Sequence, residues 1–406
     1  MKPGARIGFV LAGAAGLCAA LALAVEPPAF RPLPTPAGDH AAEPVLTQAP
    51  DGTPLLSWIE GASGARARLR WSRWRRGGWT AAATVLEDDS LFVNWADVPA
   101  VQAGAGDTLV AHVLRRTASG TYDYAVCVTR STDGGRRWSP LRPVHGGAPR
   151  GEHGFVSVLP WPSGGFGYVW LDGRVMAADP DHGSMMLRHT VLATGGEPGP
   201  ESLLDARTCE CCQTGAARTA HGVLVVYRDR SEHEVRDIFA VRWQDGRWTD
   251  PAPVAPDGWV VEGCPVNGPA VAARGERAVV AWATGAADSM RVHAATSDDG
   301  GEHFGVPVRV DEGDPVGRAD VAMLPDGDAA VMWIEGTHDH ARIRVRRWAA
   351  SGVLGAPVTV SGTSPARRSG FPRLVCVGDT LIAAWTEPAT RLRVRTAFLP
   401  AAALPH

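Results

Sequence analysis

A repeated strand pattern constrains the fold of this chain more than any other feature of its sequence. Each copy has a short apolar strand, a Gly/Asp turn, and a second apolar strand that ends in an aromatic residue and a polar cluster. The second strands lie at 54–61, 108–115, 167–174, 223–230, 278–285, 329–336 and 381–388. Their aromatic positions, roughly 50 to 60 residues apart, hold Trp58, His112, Trp170, Tyr227, Trp282, Trp333 and Trp385. Because one small sheet cannot bury both its faces alone, this repeat predicts sheets arranged radially around an axis.

The complete repeats contain four strands each. The second repeat has apolar strands at 98–103, 108–115 and 124–130 and a fourth at 141–144, whereas the seventh has only three before the chain ends. We therefore predict an all-β, seven-bladed β-propeller of four-stranded antiparallel blades over residues 44–400, with a six-bladed ring as the alternative. An N-terminal segment, residues 25–43, is expected to close the last blade with a strand near Phe30–Pro36, which removes an exposed sheet edge.

The first residues have the pattern of an export signal. Lys2 and Arg6 precede an apolar run from Ile7 to Ala24, which ends in a small-x-small cleavage pattern. We predict a signal peptide over residues 1–24 and a periplasmic or extracellular protein; an uncleaved membrane anchor is the alternative. The formal net charge of −3 gives no reason to expect a nucleic-acid partner, and no other segment predicts contact with a membrane.

Two turns carry a family resemblance. Ser131-x-Asp133-x-Gly135-x-x-Trp138 and its counterpart from Ser297 to Phe304 stand at equivalent places in two repeats. They resemble the Asp box of the bacterial sialidase and neuraminidase superfamily, which implies a propeller and, as one functional expectation, an exo-sialidase-type glycoside hydrolase. With the Cys-Glu-Cys-Cys motif at 209–212, the chain resembles a group of exported, sialidase-like bacterial proteins.

The hairpin geometry brings the polar residues to one end of the ring. In each blade the start of the first strand and the end of the second lie together near the axis, and loops at one end of a rigid scaffold commonly carry function. The opposite ends of the hairpins have plain turn sequences. The residues expected on the polar face are Asp97, His153, Asp172, Arg174, Cys209, Cys211, Cys212, Arg228, Asp229, Arg230, Cys264, Asn267, Arg318, Asp320, Glu335, His338, His340, Arg373 and Glu387.

Four cysteines on this face suggest a metal site. Cys209 and Cys264 occupy equivalent positions in neighbouring repeats, and Cys211 and Cys212 share a strand start with Cys209. With His153 on the preceding blade, they could bind copper or zinc, because thiolates and imidazole prefer such ions. An oxidising compartment equally favours disulfides, for example between Cys264 and Cys209 or Cys212.

These residues support three functional hypotheses. The first is a propeller whose Cys/His/Arg face binds a ligand, with a soft metal ion as the first expectation. The second is a sialidase-type hydrolase acting on acidic glycans. In that case Arg174, Arg228, Arg230, Arg318 and Arg373 would bind a carboxylate, and Asp97, Asp172 or Glu335 would be the acid/base. Asp229 belongs to the same candidate catalytic group. The third is a protein-interaction ring with neither metal nor turnover.

Overall fold

The computed structural model describes residues 29–61, 66–146, 150–336 and 340–406, together with Met1. The predicted signal peptide lies outside the described residues except for Met1, and His338 also lies outside them. Among the described residues, no helix is long and apolar enough to cross a membrane.

Antiparallel sheets in chain order form the blades. The chain begins with β1 (Arg31–Leu33), after which blade 1 contains β2 (Ala41–Gln48), β3 (Pro54–Glu60), β4 (Ala67–Arg75), β5 (Gly78–Trp79) and β6 (Ala83–Asp88). Blade 2 contains β7 (Ala100–Ala103), β8 (Leu109–Arg116), β9 (Tyr124–Ser131) and β10 (Arg142–Pro143). Blade 3 contains β11 (His153–Pro160), β12 (Phe166–Asp172), β13 (Met185–Leu192) and β14 (Ser202–Thr208).

The remaining blades follow the same order. Blade 4 contains β15 (Gly215–Thr219), β16 (Gly222–Arg228), β17 (Ile238–Gln244), β18 (Arg247–Trp248) and β19 (Ala252–Ala255). Blade 5 contains β20 (Ala270–Arg274), β21 (Arg277–Thr284), β22 (Arg291–Ser297) and β23 (Val308–Arg309). Blade 6 contains β24 (Pro315–Met323), β25 (Ala329–Glu335), β26 (Ala341–Trp348) and β27 (Val358–Thr363). Blade 7 contains β28 (Arg373–Val377), β29 (Thr380–Pro388) and β30 (Leu392–Pro400), to which β1 adds a fourth strand.

These seven sheets confirm the predicted seven-bladed propeller, and the six-bladed alternative is wrong. The helical elements of the described residues are short: α1 (Arg174–Ala178) and single 3₁₀ turns at Ala286–Asp288, Arg367–Ser369 and Ala401–Ala403. β1 pairs antiparallel with β30, placing Arg31 opposite Phe398 and Leu33 opposite Thr396.

The core lies between adjacent blades. The aromatic positions of the repeat are all buried in the second strands, and Trp58, Trp170, Tyr227, Trp282 and Trp333 are fully shielded. His112 replaces the aromatic residue in blade 2; burial lowers its pKa to about 4, so this imidazole is neutral. In the other six blades, a large aromatic side chain at this position fills the wedge-shaped space between neighbouring sheets.

The two repeated turns share one hydrogen-bonding pattern. The Asp133 Oδ1 atom accepts the backbone N–H groups of Arg136 and Arg137, both at 3.0 Å. Asp299 accepts those of Glu302 and His303, both at 2.9 Å. Each aspartate therefore caps its own turn, a local structural role away from the axis.

Candidate functional site

The first strand of several blades starts with a bulge at the polar face. Glu43, Phe155 and Arg318 have φ angles of 60°, 53° and 55°, and the pairing register of β2, β11 and β24 shifts at each of these positions. Such left-handed conformations are strained for residues with a Cβ, and they turn selected side chains toward the axis. The repeated bulges mark this end of the ring as a specialised surface.

A segment between blades 1 and 2, residues 95–97, crosses the axis at this end. The Trp95 ring stacks on Phe371 of blade 7 at 5.8 Å, and the Arg318 guanidinium of blade 6 lies 4.9 Å from the centre of the Trp95 ring. The Ala96 carbonyl accepts a 2.7 Å hydrogen bond from the Gln213 side chain, which precedes blade 4. We call residues 95–97 the axial plug. It contacts blades on opposite sides of the ring and therefore covers the axis.

Three cysteine thiols lie together beside the plug, in the turn between β14 and β15. The Cys209 sulfur is 3.2 Å from the Cys212 sulfur and 3.9 Å from the Cys211 sulfur, and all three lie within 4.8 Å of one another. Metal–thiolate bonds of about 2.3 Å place sulfurs of one coordination sphere at about this spacing. Cys209 and Cys212 are buried and Cys211 is half-buried. This thiol cluster can converge on one soft ion.

A charged network surrounds the cluster. The Arg236 guanidinium donates hydrogen bonds to the Cys209 sulfur at 3.3 Å and to carboxylate oxygens of Glu210 and Glu234, both at 2.8 Å. Arg230 pairs with the same two carboxylates. Hydrogen bonds with the Cys211 and Cys212 thiols hold the pKa of Cys209 well below its usual value. A stable thiolate beside a guanidinium is the form that binds metal.

Cys264 lies at the edge of the thiol cluster. It is exposed, and its interaction with the Cys211 thiol lowers its pKa. The six cysteines in the described residues are all free thiols, and the tight group of three does not include Cys264. An ion bound by the three inner thiols would therefore meet solvent on the Cys264 side.

His153 lies apart from these thiols. Its Nδ1 atom is 3.1 Å from the carbonyl of Tyr124, its Nε2 atom is 3.6 Å from an Asp172 oxygen, and its ring stacks on His145 at 4.1 Å. The reason is its position in β11, where it packs into the interface of blades 2 and 3. The group of potential ligand atoms found in the described residues consists of cysteines alone.

Four of the five predicted arginines are engaged within the protein. Arg228 donates to the carbonyls of Arg236, Asn267 and Ala283, and Arg318 donates to those of Pro365, Ala366 and Gly370. Arg174 pairs with Asp172 and Glu201, and Arg230 pairs with Glu210 and Glu234. These guanidinium groups join neighbouring blades and turns. Arg373 differs from them, since the atom Nε is buried without a partner.

Two of the predicted acids hold aromatic side chains of the repeat. The Trp170 indole donates to Asp172 at 2.8 Å and the Trp333 indole to Glu335 at 3.0 Å. The same Trp-x-acid pair recurs as Trp58 with Glu60. Asp229 lies beside Asp205 and Asp237; burial and these charges raise its pKa to about 7. His340 is exposed, and Glu387 pairs with Arg395.

Asp97 belongs to an acid cluster that the sequence did not predict. The Tyr124 hydroxyl lies 2.8 Å from an Asp97 oxygen and 2.9 Å from a Glu152 oxygen. The second Asp97 oxygen accepts the Phe155 N–H at 2.7 Å. Burial raises the pKa of both carboxyl groups to about 7, and Glu210 adds to the shift at Glu152. Gly154 permits this approach, since a Cβ there would lie 1.8 Å from Asp97.

The phenol can donate only one hydrogen to its two carboxyl neighbours. One carboxyl group must therefore be protonated and donate to the phenol oxygen if both contacts are hydrogen bonds. Because Asp97 also accepts a backbone N–H, Glu152 is the better proton carrier. The sequence signal for Glu152 was its position directly before His153, at a strand start on the polar face.

Comparison with known proteins supports the fold. No family model and no curated protein matches this chain. A mutant α-L-arabinofuranosidase from Fusarium graminearum matches with a TM-score of 0.50 and 12% identity, over 93% of this chain and 98% of that chain. A protein of unknown function from Dyadobacter fermentans gives 0.48 and 13% over 92% and 98%, and the intramolecular trans-sialidase from Ruminococcus gnavus gives 0.47 and 12% over 90% and 95%. The likeness at this level of identity concerns the β-propeller fold alone.

Proposed function

We propose that this protein is an exported, sialidase-like propeller that binds a soft metal ion, copper or zinc, at the thiol cluster. The observation that carries the proposal is the convergence of Cys209, Cys211 and Cys212 within 4.8 Å, with two of the thiols buried. The turns capped by Asp133 and Asp299 and the Cys-Glu-Cys-Cys sequence support the relation to sialidase-like proteins. The apolar N-terminal run after Lys2 and Arg6 supports a periplasmic or extracellular location.

The charges of the site fit this role. Thiolate ligands favour Cu(I) and Zn²⁺ over harder cations. The Arg236 guanidinium, whose side chain is 3% exposed, touches Cys209 and limits the negative charge that three thiolates would bring together. Glu210 and Glu234 also accept hydrogen bonds from this guanidinium and hold it in place.

Metal analysis tests the proposal. The protein, purified under reducing conditions, is mixed with Cu(I) or Zn²⁺, passed through a desalting column and analysed for metal. We expect about one equivalent bound per chain. The double variant Cys209→Ser/Cys212→Ser should lose binding, whereas Cys127→Ser/Cys376→Ser, which removes two thiols outside the cluster, should keep it.

The disulfide alternative gives a different result. Less than about a tenth of an equivalent of either metal on the fully reduced protein would refute metal binding. Protein isolated from the periplasm with the cluster thiols oxidised, and with no metal uptake after reduction, would establish a structural disulfide role instead.

Glycoside hydrolysis is a second candidate because of the acid cluster of Asp97, Tyr124 and Glu152. Two adjacent carboxyl groups with pKa values of about 7 can hold and release a proton at neutral pH. The sialidase and arabinofuranosidase activities named for proteins of similar fold suggest the substrates to try.

Fluorogenic sialosides and arabinofuranosides test this candidate. Turnover that falls at least about a hundredfold in Glu152→Gln, but is unchanged in Cys209→Ser, would support a hydrolase. Absence of turnover on both substrate classes, with metal binding intact, would leave the metal-binding function. Absence of both activities would favour the protein-interaction ring.

A further inference from the structure

The inner strands of the blades enclose a channel beneath the axial plug. This channel has a volume of about 680 Å³ and is lined by all seven blades. Its plug end is formed by the buried residues Ala96, Asp97 and Phe371, and its other end by exposed residues that include Pro50 and Arg218. The channel is therefore a pocket that opens on the face opposite the thiol cluster.

Arg373 lies at the closed end of this pocket. It is the first residue of β28, two residues beyond Phe371 of the plug region, and it lines the channel. Its Cζ atom lies 5.9 Å from the centre of the Phe371 ring. Burial lowers the pKa of Arg373, and the negative charge of Asp320 partly opposes this shift. Within the described residues, no hydrogen bond contributes to the pKa shift of Arg373.

The contrast with the buried arginines Arg228 and Arg318 is informative. The neighbouring elements supply three carbonyl oxygens each to Arg228 and Arg318, which fixes both guanidinium groups as structural ties. Within the part of the chain that the structure describes, Arg373 receives none, and its Nε atom is shielded without a partner. The side chain as a whole is half-buried, but a shielded guanidinium N–H without an acceptor is unfavourable unless a ligand or water supplies one. Arg373 is thus a guanidinium at the closed end of the channel that is available to an outside anion.

The nearest acid does not neutralise it by direct contact. Asp320 accepts the backbone N–H groups of Val321 at 2.9 Å and Leu374 at 2.8 Å, so its oxygens face the peptide backbone. Asp97, which also lines the channel, is bound to Phe155 and Tyr124. Both carboxyl groups have raised pKa values because they are buried. Because the pKa of Asp97 is about 7, its negative charge is reduced in the pocket at neutral pH.

The side chains that line the channel indicate the chemical character of the rest of the ligand. Between the two ends the channel is lined by small apolar side chains of the inner strands, such as Val158, Val271 and Val375, and by polar ones, such as Gln102 and Ser157. A guanidinium pairs with a planar carboxylate through two parallel hydrogen bonds, and apolar walls favour an apolar body behind it. We propose that the channel binds a small carboxylate with an apolar body, which enters from the face opposite the thiols and places its carboxylate on Arg373.

Benzoate and benzamide are matched probes, because they differ in charge and share the ring. Isothermal titration of the full chain should show benzoate binding at least about tenfold tighter than benzamide. Arg373→Gln should weaken benzoate binding by at least about tenfold, while Arg218→Gln, at the open end, should change it less than about threefold. Asp320→Asn removes a nearby negative charge and should strengthen binding by about threefold or more.

The circular dichroism spectrum and melting temperature of each variant establish that it is folded. If Arg373→Gln does not fold, Arg373→Lys retains the charge without the planar fork and should still weaken benzoate more than benzamide. Equal binding of the two probes, an unchanged affinity in Arg373→Gln or Arg373→Lys, an equal loss in Arg218→Gln, or no binding of benzoate at millimolar concentration would each overturn the proposal.

Discussion

At the scale of single residues, the acid cluster shows how burial changes the charge of a carboxyl group. Asp97 is 1% exposed. It shares one hydrogen-bond partner with Glu152, the Tyr124 hydroxyl, which has a single hydrogen to donate to the two acids. Neither group has an arginine partner among the causes that shift its pKa. The cluster therefore holds protons at a pH where exposed carboxyl groups have lost them.

This cluster predicts an unusual dependence of stability on pH. The unfolded chain releases these protons near pH 4, whereas the folded chain releases them near pH 7, the pKa of both groups. Between these values the folded state binds more protons, so the contribution of the pair to the free energy of unfolding falls as pH rises. We expect the double variant Asp97→Asn/Glu152→Gln to have a flatter profile than the wild type over that range.

Urea denaturation at several pH values measures this profile. Asp133→Asn serves as the control, because the pKa of Asp133 is lowered by hydrogen bonds within an exposed turn. Asp133→Asn should show the same change in the free energy of unfolding between pH 5 and pH 7 as the wild type, to within about 0.5 kcal/mol. A double variant with the same slope as the wild type would show that the cluster does not retain its protons.

At the scale of elements, the blades are held together by strand pairing and by side chains that reach between strands. β1 pairs with β30 through three residue pairs, and the Leu33 carbonyl accepts a 3.0 Å hydrogen bond from the Thr396 hydroxyl. Phe30, just before β1, is 8% exposed and packs into the core between blades 6 and 7. A short element thus covers the outer edge of blade 7.

Removal of this strand should destabilise the ring. A chain that begins at residue 37 loses the β1 ladder and the burial of Phe30, which by itself stabilises by about 1.5–3 kcal/mol. We expect a lower melting temperature and more aggregation than for a chain that begins at residue 29, because the edge of β30 is exposed. Equal melting temperatures of the two chains would contradict this role of β1.

At the scale of the whole molecule, the repeat predicted the ring because its signal is local and periodic. The seven aromatic positions and the turn at Asp133 can be recognised within each repeat. The partners of Arg228 and Arg318 could not be predicted from the repeat, because they are backbone carbonyls that the curvature of the ring brings close. Cys209, Cys211 and Cys212 group because they are near neighbours in one turn, whereas Cys264, which strand register placed beside them, lies outside the tight group. The position of His153 depended on side-chain packing between blades. No pattern within one repeat indicates that Trp95 crosses the axis.

The axial plug makes a prediction at this scale. Trp95→Ala removes the stack on Phe371 and the contact with Arg318, which should lower the free energy of unfolding by about 2–4 kcal/mol. Amide hydrogen exchange of Phe155 and Gly268, whose N–H groups bind Asp97 and Gln213, should become faster because the plug is loosened.

Trp74→Ala is a matched control for this change, since Trp74 packs edge-to-face on Trp79 in the outer part of blade 1. It should leave exchange at Phe155 and Gly268 unchanged. Equal acceleration in the two variants would mean that the effect is a general loss of stability and that the plug has no separate role.

The pairing of β1 with β30 also affects when folding can finish during synthesis. The Leu33 and Thr396 partners are 363 residues apart, which at about 5–20 residues per second corresponds to about 20–70 s of translation. During this interval the first strand has been made and its partner has not. Blades 1 to 6 can form in order as their residues appear, but a ribosome-bound chain shorter than about 400 residues has no closed ring.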